Sequence, residues 1–452
     1  MNKQVHRSVF ELGGKSVPGI LTLNGSKSAL ELWSTEYFHV KAGHVRGTTK
    51  DAKCVTIIDC LESSPKHTFV GESGAYNANV TFHLATVGQQ HVDADDECIL
   101  AVAIGFDELK SITRDRKIGP FGVIHDPDPD IVQGLRTHRP KWQPEVKDHP
   151  TVVYFGGDSI VLSETPTDIG AVSFNRGLTG SIGDGIQLKD DPTTTIAFDS
   201  PLTVRAAQER MEVLRFFLGL LIGFLPTVEY ARLATSLKEP RAGRSYSDID
   251  LELHTPMAHV LSKEDLAQNR AGRALLDCEG QQRREELSNV MGNWFRRNAN
   301  DERWRANWRF LGSFLRGRSY SIDRIIAAAN MFDLLPKDDW PPKLKNLKKK
   351  VKCKAKPVLK YIDSGILPKL DEVIDHAVDC RNHYVHGNQA RLDYEAGNVL
   401  AFLTDTLEFV FGVSELIECG WDAEILAKLQ PNDHPFAAYV STYESSIDGS
   451  GI

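Results

Sequence analysis

The apolar periodicity of this chain changes once, near Ser200-Pro201, and that change limits what it can fold into. Before it, short apolar runs recur between Gly, Thr, Asp and Pro, and long helical periodicity is absent. After it, from Leu202, apolar residues return at helical spacing. The runs at 55–61, 79–87, 98–106, 151–155 and 160–162 read as strands. Several short strands at modest spacing predict a sandwich-like or curled antiparallel sheet, in an order that spacing does not reveal.

The helical half can be divided by its breakers. Residues 204–225 carry Val, Ala, Met, Leu and Phe at helical spacing and stop at Pro226. Residues 287–315 read as an aromatic-rich helix pair broken at 298–301, with Asn300 or Asp301 as the cap. Ser319-Tyr320-Ser321-Ile322-Asp323 opens a helix running to Leu335 and closed by Pro336. Pro341-Pro342 starts a lysine-rich helix to about residue 356, and further helices are predicted over 367–386 and 394–417. The expected fold is α+β: a β-rich domain over 1–200, a helical connector of mixed pattern over 201–286, an all-α bundle over 287–430, and a loosely held tail over 431–452.

A chain of 452 residues gives each part room for a core. The net charge of −8 excludes a general nucleic-acid binder, so any contact with RNA must use a local basic surface. Seven cysteines without C-x-x-C spacing point to free thiols in a reducing compartment and suggest no metal site. The first ten residues lack the apolar core of a signal peptide. The longest apolar run, residues 216–225, is about half a membrane span and holds two glycines. The expectation is a cytoplasmic protein without a membrane partner.

The chemistry concentrates in Arg381-Asn382-His383-Tyr384-Val385-His386, followed by Gly387. On an ideal helix Arg381 and His386 stand about 500° apart in rotation, which leaves them roughly 140° apart around the axis. They can act together only if the helix ends or distorts there, or if a second chain completes the site. Gly387 is placed to end it. An arginine fork stays charged and suits two phosphate oxygens, and an imidazole moves protons near neutrality.

This arrangement, near the end of a helix and followed by another, resembles the signature of HEPN ribonucleases. The wider chain resembles the ApeA-like HEPN proteins, in Leu30-Glu31-Leu32-Trp33, in the acidic turn Asp93-Ala94-Asp95-Asp96-Glu97 before a strand, and in Tyr320-Ser321-Ile322-Asp323-Arg324. The resemblance implies a β-rich ApeA-type sensor or regulatory domain joined to a HEPN bundle. It implies an anti-phage endoribonuclease, silent until a phage protein triggers it, that cleaves host RNA (tRNA or another) and causes abortive infection. It also implies cleavage without a metal or cofactor, by 2′-OH attack leaving a 2′,3′-cyclic phosphate. Arg381 would stabilise phosphate charge, His386 would move the proton, and Asn382 would orient His386 or the phosphate. Two bundles would pair as a homodimer or higher homo-oligomer with facing motifs. A non-catalytic HEPN module for RNA binding or dimerisation, and a regulatory scaffold whose N-terminal half does the main work, stand as alternatives.

Other features admit two readings each. His383 is a second proton carrier or stacking group, or it faces solvent or a partner chain; Tyr384 packs, or stacks on RNA. Asp375 and Asp379 tune the charge of the site or are solvated. The lysine run, Lys343, Lys345, Lys348, Lys349, Lys350, Lys352, Lys354 and Lys356, guides RNA phosphates or is a solvated helix face. Lys348, Lys349 and Lys350 are its candidate RNA contacts. Trp294, Phe295, Trp304, Trp308 and Phe310, interleaved with arginines, form a core stripe or a stacking surface. Asp126-Pro127-Asp128-Pro129-Asp130 reads as a turn, lacking the glycine and distal glutamate of a calcium loop. Gly13-Gly14-Lys15-Ser16 lacks the first glycine of a phosphate-binding loop, because Val9 holds that position.

Overall fold

A computed structural model of the chain describes residues 3–61, 63–70, 73–114, 121–125, 128–138, 151–155, 160–182, 186–236, 251–255, 273–315, 320–342, 344–362, 365–395, 398–450 and 452. Of the candidates above, Asp126, Pro127, Ser319 and Lys343 lie outside the described residues.

Strands dominate the first half: β1 (Gln4–Leu12), β2 (Lys15–Leu23), β3 (Ala29–Ser34), β4 (Gly43–Thr49), β5 (Cys54–Cys60), β6 (Lys66–Val70), β7 (Ser73–Val80), β8 (Leu84–Gly88), β9 (Ile99–Phe106), β10 (Phe121–His125), β11 (Thr151–Phe155), β12 (Ile160–Thr167), β13 (Gly170–Ile182), β14 (Ile186–Leu202), β15 (Val228–Thr235) and β16 (Leu251–His254). Fourteen of them form one antiparallel ladder in the order β12-β13-β14-β9-β15-β16-β8-β5-β4-β1-β2-β3-β7-β6, and β10 pairs with β11 apart from it. The first hairpin turns at Gly13 and Gly14, both at positive φ (57° and 81°). That backbone matches the twist of the flanking strands, so Gly13-Gly14-Lys15-Ser16 is a hairpin turn.

The ladder must curl. Strands β7 and β8 lie six strands apart in it, about 29 Å in a flat sheet. Only residues 81–83 join them, a reach of about 15 Å at most. Main-chain bonds confirm the closure: Leu61 N–H donates to Thr81 C=O at 2.9 Å and His83 N–H to Ile58 C=O at 3.2 Å. The curled face encloses its own core of Phe10, Leu21, Leu30, Leu32, Val55, Ile57, Val80 and Val87. The run at 79–87, read as one strand, is therefore the end of β7 and the start of β8, because the chain crosses the mouth of the curl between them.

The helices are α1 (Leu109–Ile112), α2 (Pro129–His138), α3 (Val204–Ile222), α4 (Gln281–Asn298), α5 (Asp301–Phe314), α6 (Ile322–Leu334), α7 (Leu347–Tyr361), α8 (Leu370–His386), α9 (Val399–Glu418) and α10 (Pro435–Ser450). At the start of α2 the Asp128 carboxylate accepts the Asp130 N–H at 2.9 Å, which is the turn role expected for that acidic run. Capping follows the sequence: Thr203, Asn300, Ser321 and Asn346 each accept a first-turn N–H with the side chain. A second core runs from the β9, β13 and β14 side of the sheet through α3 into the bundle. Phe217 of α3 meets Trp294 and Phe295 of α4, with ring centroids 5.1 and 5.6 Å away.

Two expectations about organisation need correction. The segment 201–286 is not a helical connector only, because β15 and β16 return the chain to the sheet and sit between β9 and β8. Their short alternating pattern is drowned by the strongly apolar α3 before them. The tail over 431–452 is not loosely held: it forms α10, which buries Phe436, Tyr439, Tyr443 and Ile447 against the bundle. The polar residues that suggested a loose tail occupy the outer face of that helix.

Candidate active site

Helix α8 ends where the motif needs it to. Gly387 takes φ 67° and its N–H bonds the His383 carbonyl at 2.9 Å, so the helix stops directly after His386. Arg381 and Asn382 are half-buried and His386 is exposed. The long arginine side chain spans the angular gap: its Nη1 donates to His386 Nε2 at 3.0 Å and to Asn382 Oδ1 at 3.0 Å. The three expected residues thus meet within one chain.

A fourth residue completes the arrangement. Arg381 Nη2 donates to Asn330 Oδ1 of α6 at 3.0 Å. Asn330 lies 51 positions upstream on another helix, and only the packing of α6 against α8 brings it here, so no local pattern marks it. Arginine has no acceptor, so His386 Nε2 must accept; the ring is then neutral with its proton on Nδ1. Three of the five guanidinium hydrogens are used. The second Nη2 hydrogen and the buried Nε hydrogen have no acceptor among the described residues.

The neighbouring candidates separate. His383 is half-buried, and its Nδ1–H donates to the Asn388 carbonyl at 2.6 Å. Its ring packs 5.0 Å from Tyr384 and 5.6 Å from Tyr394, so all three brace the loop after the motif. Burial pushes the Tyr384 and Tyr394 hydroxyls above their usual range, keeping both protonated.

Most lysines of α7 cross-link the bundle. Lys348 pairs with Asp379 of α8 at 2.7 Å, Lys352 with Asp375 at 2.9 Å, and Lys350 with Asp333 of α6 at 2.8 Å. Arg391 also reaches Asp379 at 3.1 Å, so Asp375 and Asp379 are ion-pair partners more than free charges beside the motif. Lys354 is buried and bonds Glu415 at 2.9 Å and Glu418 at 2.7 Å. Lys349 is exposed on the outer face and forms no side-chain ion pair among the described residues.

Asp339, Glu415 and Glu418 are the one acidic cluster among the described residues tight enough for a metal. Lys354 and Arg303 already occupy it, Arg303 reaching Glu415 at 3.0 Å. Burial works to raise the Glu415 pKa, but the Lys354, Arg303 and Arg297 charges hold it at about 2. The cluster is a charge-balanced structural core.

Tyr320-Ser321-Ile322-Asp323-Arg324 proves to be a clasp between α6 and α9. Tyr320 Oη donates to both Asp405 oxygens at 2.8 Å, and Ser321 caps α6. Arg324 bonds Glu408 twice, at 2.9 and 2.7 Å, and lies 4.6 Å over the Tyr320 ring. Leu30 and Leu32 of β3 are core residues of the curled sheet, and Asp93 of the acidic turn pairs with Arg46.

The bundle presents Arg381, Asn382 and His386 together at one exposed helix end, and it is joined to a curled antiparallel sheet. Two family models match the chain: ApeA N-terminal domain 1 over residues 10–224, and Apea-like HEPN over residues 328–425. The chain is an ApeA-like HEPN domain protein, with the two domains in that order. It matches no curated protein and no solved structure. Among the described residues no helix is long and apolar enough to cross a membrane.

Proposed function

We propose that this protein is an RNA endoribonuclease of anti-phage defence, with Arg381 and His386 as its catalytic pair and Asn382 as the residue that orients them. The observation that carries this reading is the 3.0 Å contact between Arg381 Nη1 and His386 Nε2 at an open helix end. A structural arginine at a helix C-terminus would bond the last main-chain carbonyls. Arg381 instead holds three side chains and keeps donors spare.

In the resting arrangement the guanidinium covers the His386 lone pair. An RNA phosphate competes for the same fork, because a bidentate arginine–phosphate contact is stronger than a neutral amide contact. As Arg381 turns to the phosphate, Nε2 is released to take the ribose 2′-OH proton. The 2′-oxygen then attacks phosphorus and the bond to the 5′-oxygen breaks, leaving a 2′,3′-cyclic phosphate. The departing 5′-oxygen takes a proton from a protonated imidazole, which a second copy of the chain in a facing homodimer can supply. Arg381 neutralises charge on the phosphate oxygens as it develops. The ApeA-type domain is read as the part that senses a phage protein and holds the enzyme off until then, in the cytoplasm of the host cell.

The test is RNA integrity in cells expressing the wild type, Arg381→Ala or His386→Ala, before and after phage challenge. Fragments with cyclic phosphate ends that need both residues support the reading. Protection that persists in both folded variants assigns the pair a structural role and favours a non-catalytic RNA-binding or dimerisation module.

A further inference from the structure

The aromatic and arginine stripe of α5 divides between two uses. Phe310 is fully buried and Trp304 partly so, but Trp308 is 50% exposed. Trp304, Arg305, Trp308 and Arg309 of α5, with Leu334 of α6, line an open groove of about 420 Å³. That volume lies within the range of sites for small planar ligands. The two indoles stand 5.7 Å apart and 48° tilted, so they form a wedge rather than a closed stack. Phe216 of α3 braces the back of Trp308 at 4.6 Å. Arg305 and Arg309 are exposed, and neither forms an ion pair among the described residues. This contrasts with α7, where most lysines are neutralised.

An open aromatic wedge flanked by two uncompensated cations fits an unstacked base with its phosphates. A single aromatic side chain of a protein would use the apolar walls but leave both arginines unmatched. We infer that this groove binds a base of single-stranded RNA, with Trp308 as the stacking platform and Arg305 and Arg309 on the adjoining phosphates. Leu334 and Asn330 lie four residues apart on one face of α6, about 6 Å along the axis. The groove therefore adjoins the helix that anchors Arg381. Bound RNA would be held beside the reacting phosphate by contacts that carry no catalytic role. The inference takes its ligand from the ribonuclease reading, and its test measures binding rather than cleavage.

The experiment uses full-length His386→Ala protein and a fluorescein-labelled oligoadenylate, followed by anisotropy, with a duplex of mixed sequence as the control. Adding Trp308→Ala should weaken single-strand binding about 5- to 150-fold. Trp308→Phe should recover most of the affinity, and duplex binding should not change. Arg305→Gln with Arg309→Gln should lower the salt slope by about 0.7 per lost phosphate contact. Unaltered thermal midpoints show that the variants fold, and the exposure of Trp308 favours that. Affinity unchanged by Trp308→Ala, or no binding by the parent, overturns the inference. Cleavage by wild type without Trp308-dependent binding overturns the groove alone. Trp308-dependent binding, with RNA left intact in phage-challenged cells that carry the wild type, overturns only the catalytic reading.

Discussion

Arg381 reaches His386 only because an arginine side chain is long and because Gly387 ends the helix directly after the histidine. The fork also holds Asn382 and Asn330, so its position is set by three acceptors. Arg381→Lys keeps the charge but replaces a planar fork with a point donor. Cleavage is expected to fall by about 10²-fold or more with folding intact, as measured by initial rates on a labelled RNA. Asn330 acts through Arg381 and is a positioning residue. Asn330→Ala is expected to lower kcat about 10-fold or more with a small change in KM, because one hydrogen bond from the charged guanidinium, roughly 1.5 kcal/mol or more, is lost. Asn330→Asp should inhibit more strongly, since a carboxylate competes with phosphate for the guanidinium. An equal loss for both variants would show that α6 supports the site by packing alone. The motif itself was legible, since Arg, Asn, His and Gly keep close spacing in the chain. Asn330 was not, because its role arises from helix packing across 51 residues.

Helix boundaries were largely written in their caps, and the partners of charged residues were not. Asn300 and Ser321 mark helix starts that the structure keeps. The lysine run looked like one basic face, yet Lys348, Lys350, Lys352 and Lys354 each meet an acid on a neighbouring helix. Nothing in a single amphipathic pattern says which acid will stand opposite. The same holds for the clasp of Arg324 on Glu408, both buried. Glu408→Ala removes the carboxylate that bonds the buried Arg324 guanidinium twice and is expected to cost about 3–5 kcal/mol in chemical denaturation. Replacing both partners with apolar residues, Arg324→Met with Glu408→Leu, should cost much less. Similar losses for the single and double variants would mean that the clasp contributes through packing rather than charge.

At the scale of the molecule, sheet and bundle share one core, and the C-terminal helix α10 helps to join them. Its anchor is His434, whose Nε2–H donates to the Leu220 carbonyl of α3 at 3.0 Å while Nδ1 accepts the Phe436 N–H at 3.1 Å. Burial pushes the His434 pKa down to about 3, so the ring is neutral in the fold. A depressed folded value means that the unfolded chain binds the proton first. The contribution of His434 is therefore complete above about pH 6.5 and is lost as pH falls from there towards 3. Thermal midpoints should fall across that window, and His434→Gln should flatten the slope while lowering stability at neutral pH; an unchanged slope would exclude His434 as its source. A curled sheet was one of the two architectures that the strand spacing allowed, but the strand order and the point of closure could not be foreseen, because they depend on which strands pair across long separations. The division into a β-rich part and a helical part was plain, because the two periodicities differ. The proposed presentation of Arg381 and His386 to RNA is checked by sequencing RNA ends from phage-challenged cells carrying the wild type, Arg381→Ala or His386→Ala. New 2′,3′-cyclic phosphate ends and protection in the wild type, both absent in the two variants, are the result expected. Protection with intact RNA, or cleavage that persists in both variants, would contradict it.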